Sequence, residues 1–127
     1  VSKPLITIPA GSRVLLIEDS GARIEWFRER ITERLDVAWT PEMALERAGH
    51  CLEYDLIFLD HDAKWNDPRV TFYEAALRME QLEYPGTVVI HSLNTPGAKR
   101  MEYALGRNAK VVLLRYGTFE IEVKHGS

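Results

Sequence analysis

The chain has one cysteine, Cys51, which excludes an internal disulfide framework and any zinc site built from several thiolates. Cys51 falls between a helical stretch and a strand, where a small half-buried apolar residue fits, and a lone thiol suits a reduced compartment such as the cytoplasm. No run approaches the roughly 20 apolar residues of a membrane span, and the start lacks a basic-then-apolar leader pattern. Excess charge of one sign is small. At a net charge of −3, no overall basic field draws in nucleic acid, so an anionic ligand must be met by a cation or by local Arg and Lys. Repeats, low-complexity tracts and linkers are also missing. The 127 residues, 46% hydrophobic and 28% charged, read as one globular domain long enough to bury a core.

What is there is an alternation of short apolar runs with helical patterns, the order of a parallel α/β domain. "RVLLIED" (13–19) reads as a first core strand, continuous enough in Val, Leu and Ile to be covered on both faces. "GARIEWFRERITERL" follows, with Ile24, Phe27, Ile31 and Leu35 at helical spacing. "DVAW" (36–39) is a second strand, and Thr40-Pro41 opens a helix that Gly49 stops. "YDLIFLD" (54–60) is the third strand. After a polar loop, Thr71 and Glu74 form a capping box for "TFYEAALRMEQL". Pro85-Gly86 turns the chain into "TVVIHS" (87–92), the helix "AKRMEYALG" comes next, and "KVVLLRY" (110–116) is the last core strand. The expected fold is α/β, a flavodoxin-like, doubly wound five-stranded parallel sheet in the order 2-1-3-4-5. "ITI" (6–8) and "FEIEV" (119–123) lie outside that scheme and are expected to add an edge ribbon.

Ligands of an open parallel sheet gather at the carboxyl ends of its strands. Those ends carry Glu18, Asp19 and Ser20, then Asp60-His61-Asp62, then His91, Ser92 and Asn94, and finally Arg115. Glu18, Asp19 and Asp60 crowd carboxylates together, which favours raised pKa values or a hard divalent cation, Mg²⁺ or Mn²⁺, the latter with His61 as a further ligand. Glu18 and Asp62 read equally well as N-cap or loop residues in water. His61 and His91 titrate near neutrality and suit acid and base roles. His50 and His125 have no such company and read as surface residues. Ser92 suits contact with a phosphate oxygen or nucleophilic attack; Asn94 either orients a substrate or makes an Asx-turn before Pro96. In "NTPGAKRM", Gly97 permits close backbone approach at a helix start, while Lys99 and Arg100 supply charge for a phosphate. Trp26, Trp39 and Tyr73 lie on apolar faces and read as core; Trp65, beyond the acids, either stacks on a base or packs a lid.

The β-α order, the acid pair in "LLIEDS", the Asp closing the third strand and the Ser closing the fourth resemble the receiver domain of two-component response regulators. In that family the acid pair binds Mg²⁺, the third-strand Asp accepts a phosphoryl group and the fourth-strand hydroxyl contacts it. A receiver normally has Lys followed by cis-Pro after the fifth strand, whereas "LLRYGTF" has Arg115 and no Pro. Asp19, Asp60-His61-Asp62, and the run His91, Ser92, Asn94, Gly97, Arg100 and Met101 are similar to a divergent branch, the cyclic-phosphate processing receiver-like family. Ala63-Lys64-Trp65 departs from the aliphatic residue and Gly that usually follow its triplet.

That resemblance implies a metal-assisted phosphoesterase acting on a cyclic phosphate, either an RNA 2′,3′-cyclic phosphate end or a cyclic nucleotide. Glu18, Asp19 and Asp60 would hold the cation. His61 and His91 would share the proton transfers, with Asp62 orienting one imidazole, and Ser92, Asn94, Gly97, Lys99, Arg100 and Arg115 would receive the phosphate. The alternative is a signalling module, a divergent receiver or pseudo-receiver with Asp60 at the phospho-acceptor position.

Overall fold

The computed structural model of the chain describes residues 3–32, 34–64 and 66–125. Strand β1 (Leu5–Pro9) precedes β2 (Arg13–Ile17), α1 (Gly21–Arg30), β3 (Arg34–Ala38), α2 (Pro41–Ala48), a short 3-10 turn, β4 (Leu56–Leu59), α3 (Tyr73–Gln81), β5 (Thr87–Ile90), α4 (Thr95–Leu105), β6 (Lys110–Leu113) and β7 (Glu120–Lys124). Five strands form one parallel sheet in the order β3-β2-β4-β5-β6. The expected doubly wound topology is therefore the observed one. Among the described residues no helix is long and apolar enough to cross a membrane.

Because side chains alternate along a strand, the sheet feeds two cores. Leu15, Ile17, Ile57, Leu59, Val88 and Ile90 pack under α2, α3 and α4. Val14, Leu16, Phe58 and Val89 meet Ile24 and Phe27 of α1 on the opposite face. That second face is completed by β1 and β7. They pair with each other in parallel as a separate two-stranded sheet and place Ile8, Phe119 and Ile121 in the same core. The Phe119 ring stacks on Phe58 at 6.4 Å. The ends thus form a ribbon, but over a face of the sheet and not along its edge. Their inward residues Ile6, Ile8, Ile121 and Val123 are apolar enough to be worth more against Phe58 than at a solvated edge.

Strands β4 and β6 are shorter than expected, spanning Leu56–Leu59 and Lys110–Leu113, and helices α1, α3 and α4 start or stop at other residues. Helix α1 stops at Arg30, where Ile31 turns to extended backbone, and Leu35 belongs to β3 opposite Val14. Leu35 and Val37 alternate as strand residues against the second core, which outweighs the helical spacing of Leu35. The capping box between Thr71 and Glu74 does not form: α3 begins at Tyr73 with Phe72 as its cap, and the Thr71 hydroxyl accepts instead from the Tyr73 N–H at 3.2 Å. Thr71 is held extended by a bridge to Asp62, flanked by Phe72 N–H donating to the His61 carbonyl at 2.8 Å. Helix α4 starts earlier than expected, at Thr95, because Asn94 caps it by accepting from the Gly97 N–H. The cap at Thr40 matches the expectation, its hydroxyl accepting from the Met43 N–H, and the structure adds a cap at Ser20, whose hydroxyl accepts from the Arg23 N–H. Trp39, expected in the core, is 51% exposed, since it follows the last residue of β3 and precedes the cap of α2.

Candidate functional site

The parallel ladder continues past the strand ends. Glu18 N–H donates to Ala38, Asp60 N–H to Ile17 and His91 N–H to Leu59, at 3.0–3.1 Å. Three consecutive strands thereby present their polar residues at one rim. Between them opens a cleft of about 540 Å³ lined by Glu18, Asp19, Arg23, Asp60, Asp62 and Ser92. Convergence, the central expectation from the sequence, holds for these acids and for Ser92.

Glu18 is wholly buried, and both its oxygens are engaged. Oε2 accepts from the Asp19 and Ser20 N–H groups, both at 3.0 Å, and Oε1 lies 2.9 Å from His91 Nε2. Asp60 Oδ1 accepts from the His61 N–H at 2.8 Å. Burial pushes the Glu18 carboxyl up to about 6. Burial first, and the charge of Glu18 second, do the same to Asp60. His91 is packed against the Phe27 ring at 5.1 Å, and burial lowers its pKa to about 4. It is thus a neutral imidazole at pH 7. Its Nδ1 is buried with no partner among the described residues, so a ring with its proton on Nε2 donates to Glu18, whereas the other tautomer would set two acceptors against each other at 2.9 Å.

A residue not singled out from the sequence completes the cleft. Arg23, in the first turn of α1, places Nη1 3.7 Å from Glu18 Oε1 and 3.9 Å from Asp60 Oδ2. Its guanidinium also lies over the Tyr116 ring at 4.8 Å. The signal was present: helical side chains point back toward the N-terminus, so a basic residue three places after the Ser20 cap aims at the acids before it.

Other expected site residues fall elsewhere. His61 is buried and turned from the cleft, its Nδ1 2.8 Å from Asp62 Oδ1 and its Nε2 without a partner among the described residues. Asn94 takes the turn-forming role of its two expected ones and does not line the cleft. Its carbonyl caps α4 through Gly97, and its amide donates to Asp62 Oδ1 at 3.1 Å. Gly97 does allow a close approach, but to the His61 ring, which a Cβ would meet at 2.5 Å. Lys99, Arg100 and Arg115 do not line the cleft; all three are exposed, and Arg100 stacks on Tyr73 at 4.7 Å. Exposed cations at the rim gain more from solvent than from a distant acid cluster. Ser92 Oγ accepts from the Asn94 N–H at 3.0 Å and keeps its own hydrogen for the cleft. Trp65 lies outside the described residues, while His50 is a surface residue as expected, paired with Glu53 and Glu46.

No protein-family model and no curated protein matches the sequence. Solved structures do match. The chemotaxis protein CheY4 of Vibrio cholerae aligns with a TM-score of 0.60 at 20% identity, over 85% of this chain and 88% of its own. The N-terminal domain of a response regulator/sensory box/GGDEF protein from Carboxydothermus hydrogenoformans gives 0.59 at 20%, over 84% and 83%. The receiver domain of the histidine kinase CKI1 from Arabidopsis thaliana, complexed with Mg²⁺ and BeF3⁻, gives 0.57 at 17%, over 84% and 81%. The fold is that of a receiver domain.

These neighbours are signalling domains, and they correct the expectation of a phosphoesterase. The geometry gives the physical reason. Phosphoester hydrolysis as expected needs two imidazoles flanking a phosphorus, yet His91 is sealed behind Glu18 and His61 lies under α4. The clamp of Lys99, Arg100 and Arg115 expected to receive a nucleotide or RNA end is absent from the cleft lining.

Proposed function

We propose that the domain is a receiver-type signalling module with Asp60 at the phospho-acceptor position. The observation that carries this is the placement of Asp60 at the end of the central strand β4, lining a cleft shared with Asp19 and the Ser92 hydroxyl. In the reaction an Asp60 carboxylate oxygen attacks the phosphorus of a phosphodonor. A new P–O bond forms, the bond to the donor's leaving group breaks, and the leaving group departs with its electron pair. Ser92 Oγ–H donates to a phosphoryl oxygen. The D-H-D and H-S-x-N residues that carried the finer resemblance act here as a brace: His61, Asp62 and Asn94 tie the loop after β4 to the start of α4.

The donor set suits a hard divalent cation. Groups of Glu18, Asp60 and His91 lie within 4.8 Å of one another, but the His91 proton is committed to Glu18, which leaves oxygen ligands and favours Mg²⁺ over Mn²⁺. Asp19 and Asp60 would hold the ion, with Glu18 fixing the turn beneath them. Once bound, the ion would neutralise charge on the phosphoryl oxygens.

Incubation with acetyl phosphate and Mg²⁺, followed by intact-mass measurement, is expected to show one phosphoryl adduct on the wild type and none on Asp60→Asn. A wild type that takes no label, and shows no spectral change with beryllofluoride, would sink the phospho-accepting reading.

A further inference from the structure

We infer that Arg23 is a built-in counter-ion of the acid cleft, one that a divalent cation must displace to bind. The inference rests on the receiver reading and concerns how that same site is regulated. One nitrogen of Arg23 lies between the two buried carboxylates, at 3.7 Å from Glu18 and 3.9 Å from Asp60. Neither distance is that of a hydrogen bond, so the contact is a charge contact that little geometry holds in place. A divalent ion drawn to Asp60 meets the guanidinium first, and two like charges at this range in a largely buried cleft repel strongly.

The displaced group has a place to go. Its guanidinium already covers the Tyr116 ring at 4.8 Å, and its side chain keeps 25% exposure toward solvent. Tyr116 donates its backbone N–H to the His91 carbonyl at 2.9 Å, and its ring meets the edge of Trp26 at 5.5 Å. Exchange of one cation for the other therefore alters the charge and packing of the surface between α1 and the segment after β6. The arrangement links occupancy of the cleft to an outer face without needing Arg115, which stands where a receiver's Lys would be but does not line the cleft.

The test is titration of Mg²⁺ alone into the wild type, Arg23→Gln and Arg23→Lys by calorimetry, with circular dichroism confirming that each is folded. Arg23→Gln is expected to bind Mg²⁺ at least tenfold more tightly than the wild type, and Arg23→Lys to stay within threefold of it. Equal or weaker binding by Arg23→Gln overturns the exchange. If that happens while acetyl phosphate still labels the wild type, the receiver reading stands and only the exchange fails; if labelling fails as well, both fall. Should Arg23→Gln be unfolded without metal, Arg23→Lys and Arg23→Met supply the same comparison of charge kept against charge lost.

Discussion

Asp60→Asn is expected to stabilise the fold by about 2–3 kcal/mol at pH 7.5 and to change it little near pH 4. The Asp60 carboxyl is raised from 3.8 to about 6, by burial first and by the charge of Glu18 second. The folded state therefore holds this proton up to about pH 6, whereas the unfolded chain releases it near 3.8. The group's favourable contribution is complete below the lower value, is lost as pH rises through the window, and becomes a constant penalty above it. Asparagine has no such proton and escapes the penalty. Glu18, raised to about 6, adds a dependence of the same sign. His91, lowered to about 4, adds the opposite one, losing stability as pH falls from 6.5. Because Asp60 interacts with both, the difference between wild type and Asp60→Asn reports the Asp60 contribution together with what its lost charge does to Glu18 and His91. Urea unfolding at pH 4, 6 and 7.5 measures it, and a difference independent of pH would refute the assignment.

Gly97→Ala is the second large effect. Helix propensity alone favours alanine by up to about 1 kcal/mol in a helix, so the neutral expectation is a gain. Contact geometry predicts the reverse. A Cβ would stand 2.5–2.6 Å from three atoms of the His61 ring, and that ring cannot retreat. Its residue is held by the His61 N–H to Asp60, the Phe72 N–H to its carbonyl, and Nδ1 to Asp62. Overpacking of this kind costs about 1–3 kcal/mol, and the start of α4 must shift away. In a His61→Ala background the clash disappears, and Gly97→Ala should then cost less than about 0.5 kcal/mol, a coupling that a double-mutant cycle reads directly. An undiminished cost in that background would place the obstruction somewhere else.

The sheet order and the rim of acids were legible in the sequence because both follow from rules that read one residue type at a time: apolar runs between helical patterns, and polar residues at strand ends. Orientation was less legible. His61 and His91 both close strands, yet one lies under α4 and the other behind Glu18. Past the last ladder residue the period of two no longer fixes which way a side chain turns. The direction is decided by neighbours far off in sequence, Gly97 for one and Phe27 for the other. Arg23 lies at no strand end, and its carboxylate partners are reached from a helix start, so the strand-end rule does not mark it. Thr71 and Leu35 show a related failure, in which a local capping or helical pattern gave way to pairing with Asp62 and Val14.

The ribbon that completes the second core has a mechanical consequence. Leu5 lies opposite Glu120 and Pro9 opposite Lys124, so the two strands run side by side in the same sense. Tension entering ahead of β1 and leaving after β7 slides one strand along the other, loading all their cross-links at once instead of unzipping them from one end. The two outermost strands of the domain thus resist in shear a pull applied at its ends.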